Sequence, residues 1–173
     1  MSAVLLLTAF LISSSLFAQN DSLTDRDEET LAVALPSSLK EALQGGVSLA
    51  IQVELVYITP RFLLDNHSLN ETHQFHIAHH TLSNRYMVHR DQETRPQLFA
   101  TLDGLQEQIG VEAIRLMEQY IAKHRSIAAQ SSAKPHLRLA LNKAALPGPV
   151  RLSAFISKQW DFDTGWILWD FDN

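Results

Sequence analysis

From Val47 to Ile58 the chain alternates: Val47, Leu49, Ile51, Val53, Leu55 and Tyr57 fall on one side of a pleated strand. The stretch is rich in β-branched residues, and period-two alternation of this kind marks a strand with one apolar face. Such a face has to be covered, by a second sheet or by helices, so only a few architectures remain open.

Thr72–Leu82 and Arg85–Arg90 read as the next two strands, and His136–Leu141 alternates as another. Leu31–Leu35 suits a short first strand. Ser38-Leu39-Lys40-Glu41 has the spacing of a capping box and Gly45-Gly46 is a stop signal, which predicts a short helix over Leu39–Gln44. The clearest helix is Pro96–Ile109: Pro96 fits a first turn, Leu98, Phe99, Leu102, Leu105 and Ile109 share a face, and Gly110 ends it. Val111–Ala129 has helical spacing at Val111, Ile114, Met117 and Ile121, but Val111–Met117 could equally extend the sheet. Val150–Phe162 and Trp166–Phe171 read as a hairpin around Asp163-Thr164-Gly165. Pro147 and Pro149 lack a backbone donor and belong at the start or edge of a strand. The expected fold is α+β and mainly β: an antiparallel sheet or sandwich with one or two packed amphipathic helices. Parallel units fit poorly, because only one connection is clearly helical and long enough for a crossover.

No charged side chain precedes Asp21, and Ala3–Ile12 is an apolar stretch of signal-peptide length. Ser13, Ser14 and Ser15 follow, and Ala18 offers a small residue for cleavage before Gln19. Residues 1–18 are therefore expected to be a secretory signal peptide, the alternative being an uncleaved inner-membrane anchor over residues 1–20. Residues 19–30, with Asp21, Asp25, Asp27, Glu28 and Glu29, read as an acidic flexible leader, and residues 31–173 as a single β-rich domain. The expected location is the periplasm. The chain has no cysteine, which excludes a disulfide framework, thiolate catalysis and zinc held by sulfur. Its net charge of −5 speaks against a nucleic-acid partner or an anionic membrane surface, both of which call for a basic face. A membrane would be met only through the N-terminal segment.

Three segments carry a resemblance. They are Glu41-Ala42-Leu43-Gln44-Gly45-Gly46-Val47-Ser48-Leu49; His80-Thr81-Leu82-Ser83-Asn84-Arg85-Tyr86-Met87-Val88; and Leu146-Pro147-Gly148-Pro149-Val150-Arg151-Leu152, followed by Trp160 and by Gly165-Trp166-Ile167-Leu168-Trp169. In order and spacing they resemble an exported proteobacterial family of domains of unknown function, family 4390. The likeness spans about residues 31 to 171. His80 stands where that family usually has an aromatic, Val150 where it has Leu, and Val111–Ala133 matches poorly. The resemblance implies an exported β-rich domain, supplies no catalytic residues, and implies a gene that lies beside that of a nitrogen-type membrane sensor kinase, which sets no mechanism.

Several constellations invite chemistry. His67, His73, His76, His79, His80 and His89 crowd one region, and imidazole is a common metal ligand. On a strand, however, His73 and His79 point to one face and His76 and His80 to the other, so the bland reading is solvent-facing polar positions. These four are the candidate ligands of an alternative, divalent-metal-binding reading. Asp161, Asp163, Asp170 and Asp172 gather around the presumed hairpin, where turn chemistry accounts for them better than a calcium loop or paired catalytic carboxylates. Trp160 and Trp166 are expected in the core, while Trp169 and Phe171 are candidates for contact with a partner. No serine elbow, phosphate loop or dinucleotide fingerprint is present. The leading expectation is a non-catalytic, cofactor-free interaction module whose partner is an envelope protein. A hydrolase with an unrecognised site ranks last.

Overall fold

The computed structural model describes residues 31–61, 65–91, 93–128 and 132–169. The expected signal peptide and acidic leader, residues 1–30, lie outside the described residues, as does Phe171. Residues 31–36 run without regular structure, so the strand expected at Leu31–Leu35 is not formed, although Val33 and Leu35 are buried. Helix α1, Ser37–Gln44, follows. Its start is not the expected capping box: Pro36 occupies the cap position, and the Ser38 hydroxyl donates instead to the Gln159 carbonyl, far along the chain. Its end is as expected. Gly46 sits at φ 88°, and the amides of Gly46 and Val47 donate to Leu43 and Ala42 in the crossed pattern that closes a helix on a left-handed residue.

The strands are β1 (Leu49–Thr59), β2 (Asn66–His80), β3 (Arg85–Arg90), β4 (Gln97–Phe99), β5 (Lys134–Leu141) and β6 (Ile167–Leu168). They form one antiparallel sheet in the order β4-β3-β2-β1-β5-β6. The fold is α+β as expected, with a single sheet rather than a sandwich. Leu49, Ile51, Val53, Leu55 and Tyr57 of β1 are buried, in line with Phe75 and Ile77 of β2 and with Leu137, Leu139 and Leu141 of β5.

Over that face lies helix α2, Leu102–Ala128. Its buried stripe, Leu105, Ile109, Ala113, Leu116, Met117 and Tyr120, keeps helical spacing without a break. The helix expected over Pro96–Ile109 is therefore displaced. Gln97–Phe99 is an edge strand, and the helix runs straight through Gly110 and takes in the ambiguous segment up to Ala128. Glycine is required at 110 because a Cβ there would overlap the Leu31 backbone carbonyl. The segment from Leu31 to Leu35 lies against α2, and the Leu35 amide donates to the buried Gln106 side chain at 3.4 Å.

The C-terminal hairpin is also not formed. Gly148–Ile156 is helix α3, with Pro147 as its cap residue and Pro149 in its first turn, where a missing N–H costs nothing. Lys158–Trp160 is a single 3₁₀ turn. β6 pairs with β5, and the segment leading to it already follows β5, since Leu141 donates to the Phe162 carbonyl and Thr164 to the Leu139 carbonyl. Trp160 is buried as expected, but Trp166 is 37% exposed and lies outside the core.

Gly110→Ala is expected to lower stability by about 1–3 kcal/mol through overpacking. Helix propensity alone would raise it by about 1 kcal/mol. Chemical denaturation reads the sign, and a stabilised variant would show that residues 31–35 do not press on the helix.

Candidate functional site

The pleat of β2 divides the histidines. His73 and His79 share the helix-covered face with Phe75 and Ile77, while His76 and His80 point to the open face. Each has separate company. His73 Nε2 lies 3.2 Å from the Glu71 carboxylate without the alignment a hydrogen bond needs. His79 bonds Asn84 at 3.1 Å and leans on Tyr86. His76 bonds Asp91 at 2.5 Å and stacks on His89 at 5.0 Å. His80 Nδ1 accepts from the Ser83 amide in the β2–β3 turn. Among the described residues no group of three or more histidines and carboxylates could hold a metal ion. The four candidate ligands are not brought together.

On the open face His76, His89, Met87, Ala78, Thr94 and Pro96 line a depression of about 550 Å³. Asp91 and the His89 ring fix the orientation of His76 there.

A second polar group fastens the end of α2 to β2. Tyr120 stacks on Tyr57 at 5.4 Å and donates its hydroxyl to the Leu69 carbonyl at 2.8 Å. Glu71 beside it meets Lys123 at 2.9 Å and His124 at 3.8 Å. Burial pushes the Glu71 carboxyl up, but the hydrogen bond and charge of Lys123, with His73, outweigh it and leave the group below the ordinary range. Burial pushes the Tyr120 hydroxyl well up, so it stays a donor.

Of the four aspartates near the C-terminus, Asp163 forms half of a clamp, and Asp170 and Asp172 lie outside the described residues. Asp163 accepts two hydrogen bonds from Arg138, at 2.9 and 2.5 Å, and Arg138 also reaches Glu54 at 3.1 Å. Asp163 further accepts from the Gly165 amide, the local turn bond that its sequence suggests. Asp161 pairs separately with Lys143, so the two carboxylates do not converge on one site. Trp166 reaches over the open face, its ring 5.5 Å from the Arg138 guanidinium and 5.3 Å from His67. Trp169, a candidate for partner contact, packs partly buried against the core and its amide donates to the Pro135 carbonyl.

One surface feature escaped sequence reasoning. On α3 only Ala154 is buried, while Leu152, Phe155 and Ile156 are 73%, 61% and 86% exposed. Their i, i+3, i+4 spacing was visible, but the strand reading scattered them over two faces.

The arrangement gives one pH dependence. The Arg138 hydrogen bonds hold the Asp163 carboxyl below its ordinary range, helped by the Gly165 amide and opposed by partial burial. A depressed folded-state pKa contributes stability that is present above the unfolded value of about 3.9 and is lost as pH falls through the folded value. Asp163→Asn should therefore melt below wild type at neutral pH, with the gap closing at pH values under about 4. The pair is partly exposed, so the gap is no more than about 1 kcal/mol. A gap that persists in acid would assign the loss to something other than the ion pair.

Comparison with curated proteins and with solved structures finds no match. The profile of one family, described as Domain of unknown function (DUF4390), matches residues 28–170. That span takes in every strand and helix described above, and the chain belongs to the DUF4390 family.

Proposed function

We propose that the chain is a non-catalytic interaction module of the bacterial envelope, exported to the periplasm, whose partner is another envelope protein. The observation that carries this reading is the apolar face of α3. Leu152, Phe155 and Ile156 form a contiguous exposed cluster next to the cap and turn residues of the same helix, and clusters of this kind mark contact surfaces more often than isolated apolar residues do. Arg151 and Lys158 flank the cluster, the arrangement of an apolar centre with a polar rim. The ectodomain of a membrane sensor kinase is the partner that the family resemblance favours. Export rests on the apolar N-terminus, and among the described residues no helix is long and apolar enough to cross a membrane.

Two measurements test the proposal. A photo-crosslinking side chain at Ile156 should give one discrete adduct with an envelope protein in living cells, and the same probe at Leu82, exposed at the far turn, should not. Equal labelling from both positions, or none from Ile156, would remove the contact surface. Mass spectrometry of envelope fractions should find a mature chain beginning near Gln19; a chain still carrying Met1 in the membrane fraction would replace cleavage with anchoring.

A further inference from the structure

On its second side β2 is only half occupied. β3 pairs with Phe75–His80, and among the described residues no strand pairs with Asn66–Gln74 on that side. Both ends of this open stretch are bounded. At one end Arg90 of β3 closes against Phe75. At the other, Leu69 has φ 57° and the pairing with β1 shifts register between Leu55 and Tyr57, so the strand is deflected. Glu71–Gln74, regularly paired with β1, and Asn70, which stands with Leu69 opposite Val56, remain as a segment whose outward backbone groups are a template for another strand.

We propose that Asn70–Gln74 is the docking edge for a second copy of this chain, with two β2 strands pairing antiparallel about a two-fold axis at Thr72. Two six-stranded sheets then become one. The argument rests on complementarity. A two-fold axis perpendicular to the sheet keeps each side chain on its own face, so the axis has to pass through a residue rather than between residues. With the axis at Thr72, Glu71 faces His73 of the other copy, twice over, Asn70 faces Gln74, and the two Thr72 side chains meet. Unlike pairs and threonine pairs are the favoured cross-strand neighbours. Moving the axis to residue 71 sets Glu71 against Glu71, and moving it to residue 73 sets His73 against His73. Of these three central registers, only that at Thr72 avoids a like pair of titratable groups at the centre, and an axis at residue 70 or 74 would run the pairing past Leu69 or Phe75. The deflection at Leu69 and the end of β3 at Arg90 limit the pairing to this segment. An interface this short makes a concentration-dependent dimer.

The chain contains no cysteine, so a single introduced thiol reports cleanly. Directly facing residues have Cβ atoms about 4.5–5.5 Å apart, close to the reach of a disulfide. In the chain as the cell matures it, Thr72→Cys should form a disulfide-linked homodimer about tenfold faster than Ser83→Cys, which is exposed in the β2–β3 turn. Sedimentation should show wild type shifting toward twice its monomer mass with concentration. Thr72→Lys, which sets two ammonium groups face to face, should weaken that association about tenfold at unchanged melting temperature, because Thr72 is exposed. Equal crosslinking of the two cysteine variants, a wild-type chain monomeric at every concentration, or a Thr72→Cys adduct with a foreign envelope protein alone would each overturn the symmetric pairing.

Discussion

The burial of one helical stripe against one face of β1 organises this molecule. Leu105, Ile109, Ala113, Met117 and Tyr120 are each almost wholly removed from water, as are Leu49, Ile51, Val53, Leu55 and Tyr57 beneath them. A fully buried side chain of this size contributes about 1.5–3 kcal/mol, and a cysteine-free chain has no covalent link to share the task. The long helix, the order of the central strands and the path of residues 31–35 all serve to complete that contact. Tyr120 closes it at one end by combining aromatic stacking on Tyr57 with a hydrogen bond to the irregular backbone at Leu69.

On the opposite face of the sheet Ala50, Val56 and Ile58 of β1 are buried too, and an ion-pair cluster lies beside them. Arg138 binds Asp163 and Glu54, and the Asp163–Trp166 segment is thereby drawn onto the open face beside β5. Helices on one side and ion pairs on the other leave a surface with distinct regions: the polar open face, the free edge of β2 and the apolar side of α3.

Legibility in the sequence followed the range of the interaction involved. β1 and β5 announce themselves through period-two alternation, a local property, and the faces of His73, His76, His79 and His80 follow from the same pleat; β2 begins at Asn66, six residues before the strand expected from Thr72, because its polar first part carries no such signal. Gly45-Gly46 ends α1 for a reason contained in the turn itself. Gly110 misleads because its reason lies elsewhere in the chain, in the backbone of Leu31, and nothing near residue 110 reports that. α3 was misread as a strand because a short apolar run fits both periods, and its first-turn Pro149 reads equally as a strand-edge proline. Trp166 lies outside the core because β6 pairs with β5 and not with the segment before it, a choice that turn residues alone do not reveal. The exposed apolar side of α3 is hidden by the same ambiguity.

The crossing at Gly110 also determines how the domain would bear a mechanical load. From Leu31 to Leu35 the chain runs antiparallel to α2, passing Gly110 first and Gln106 later. A pull directed along this segment acts along the helix axis. It would have to slide Val33 and Leu35 out of their buried positions together instead of peeling them away one at a time. A domain loaded in that direction would be gripped in shear, about a third of the way along α2.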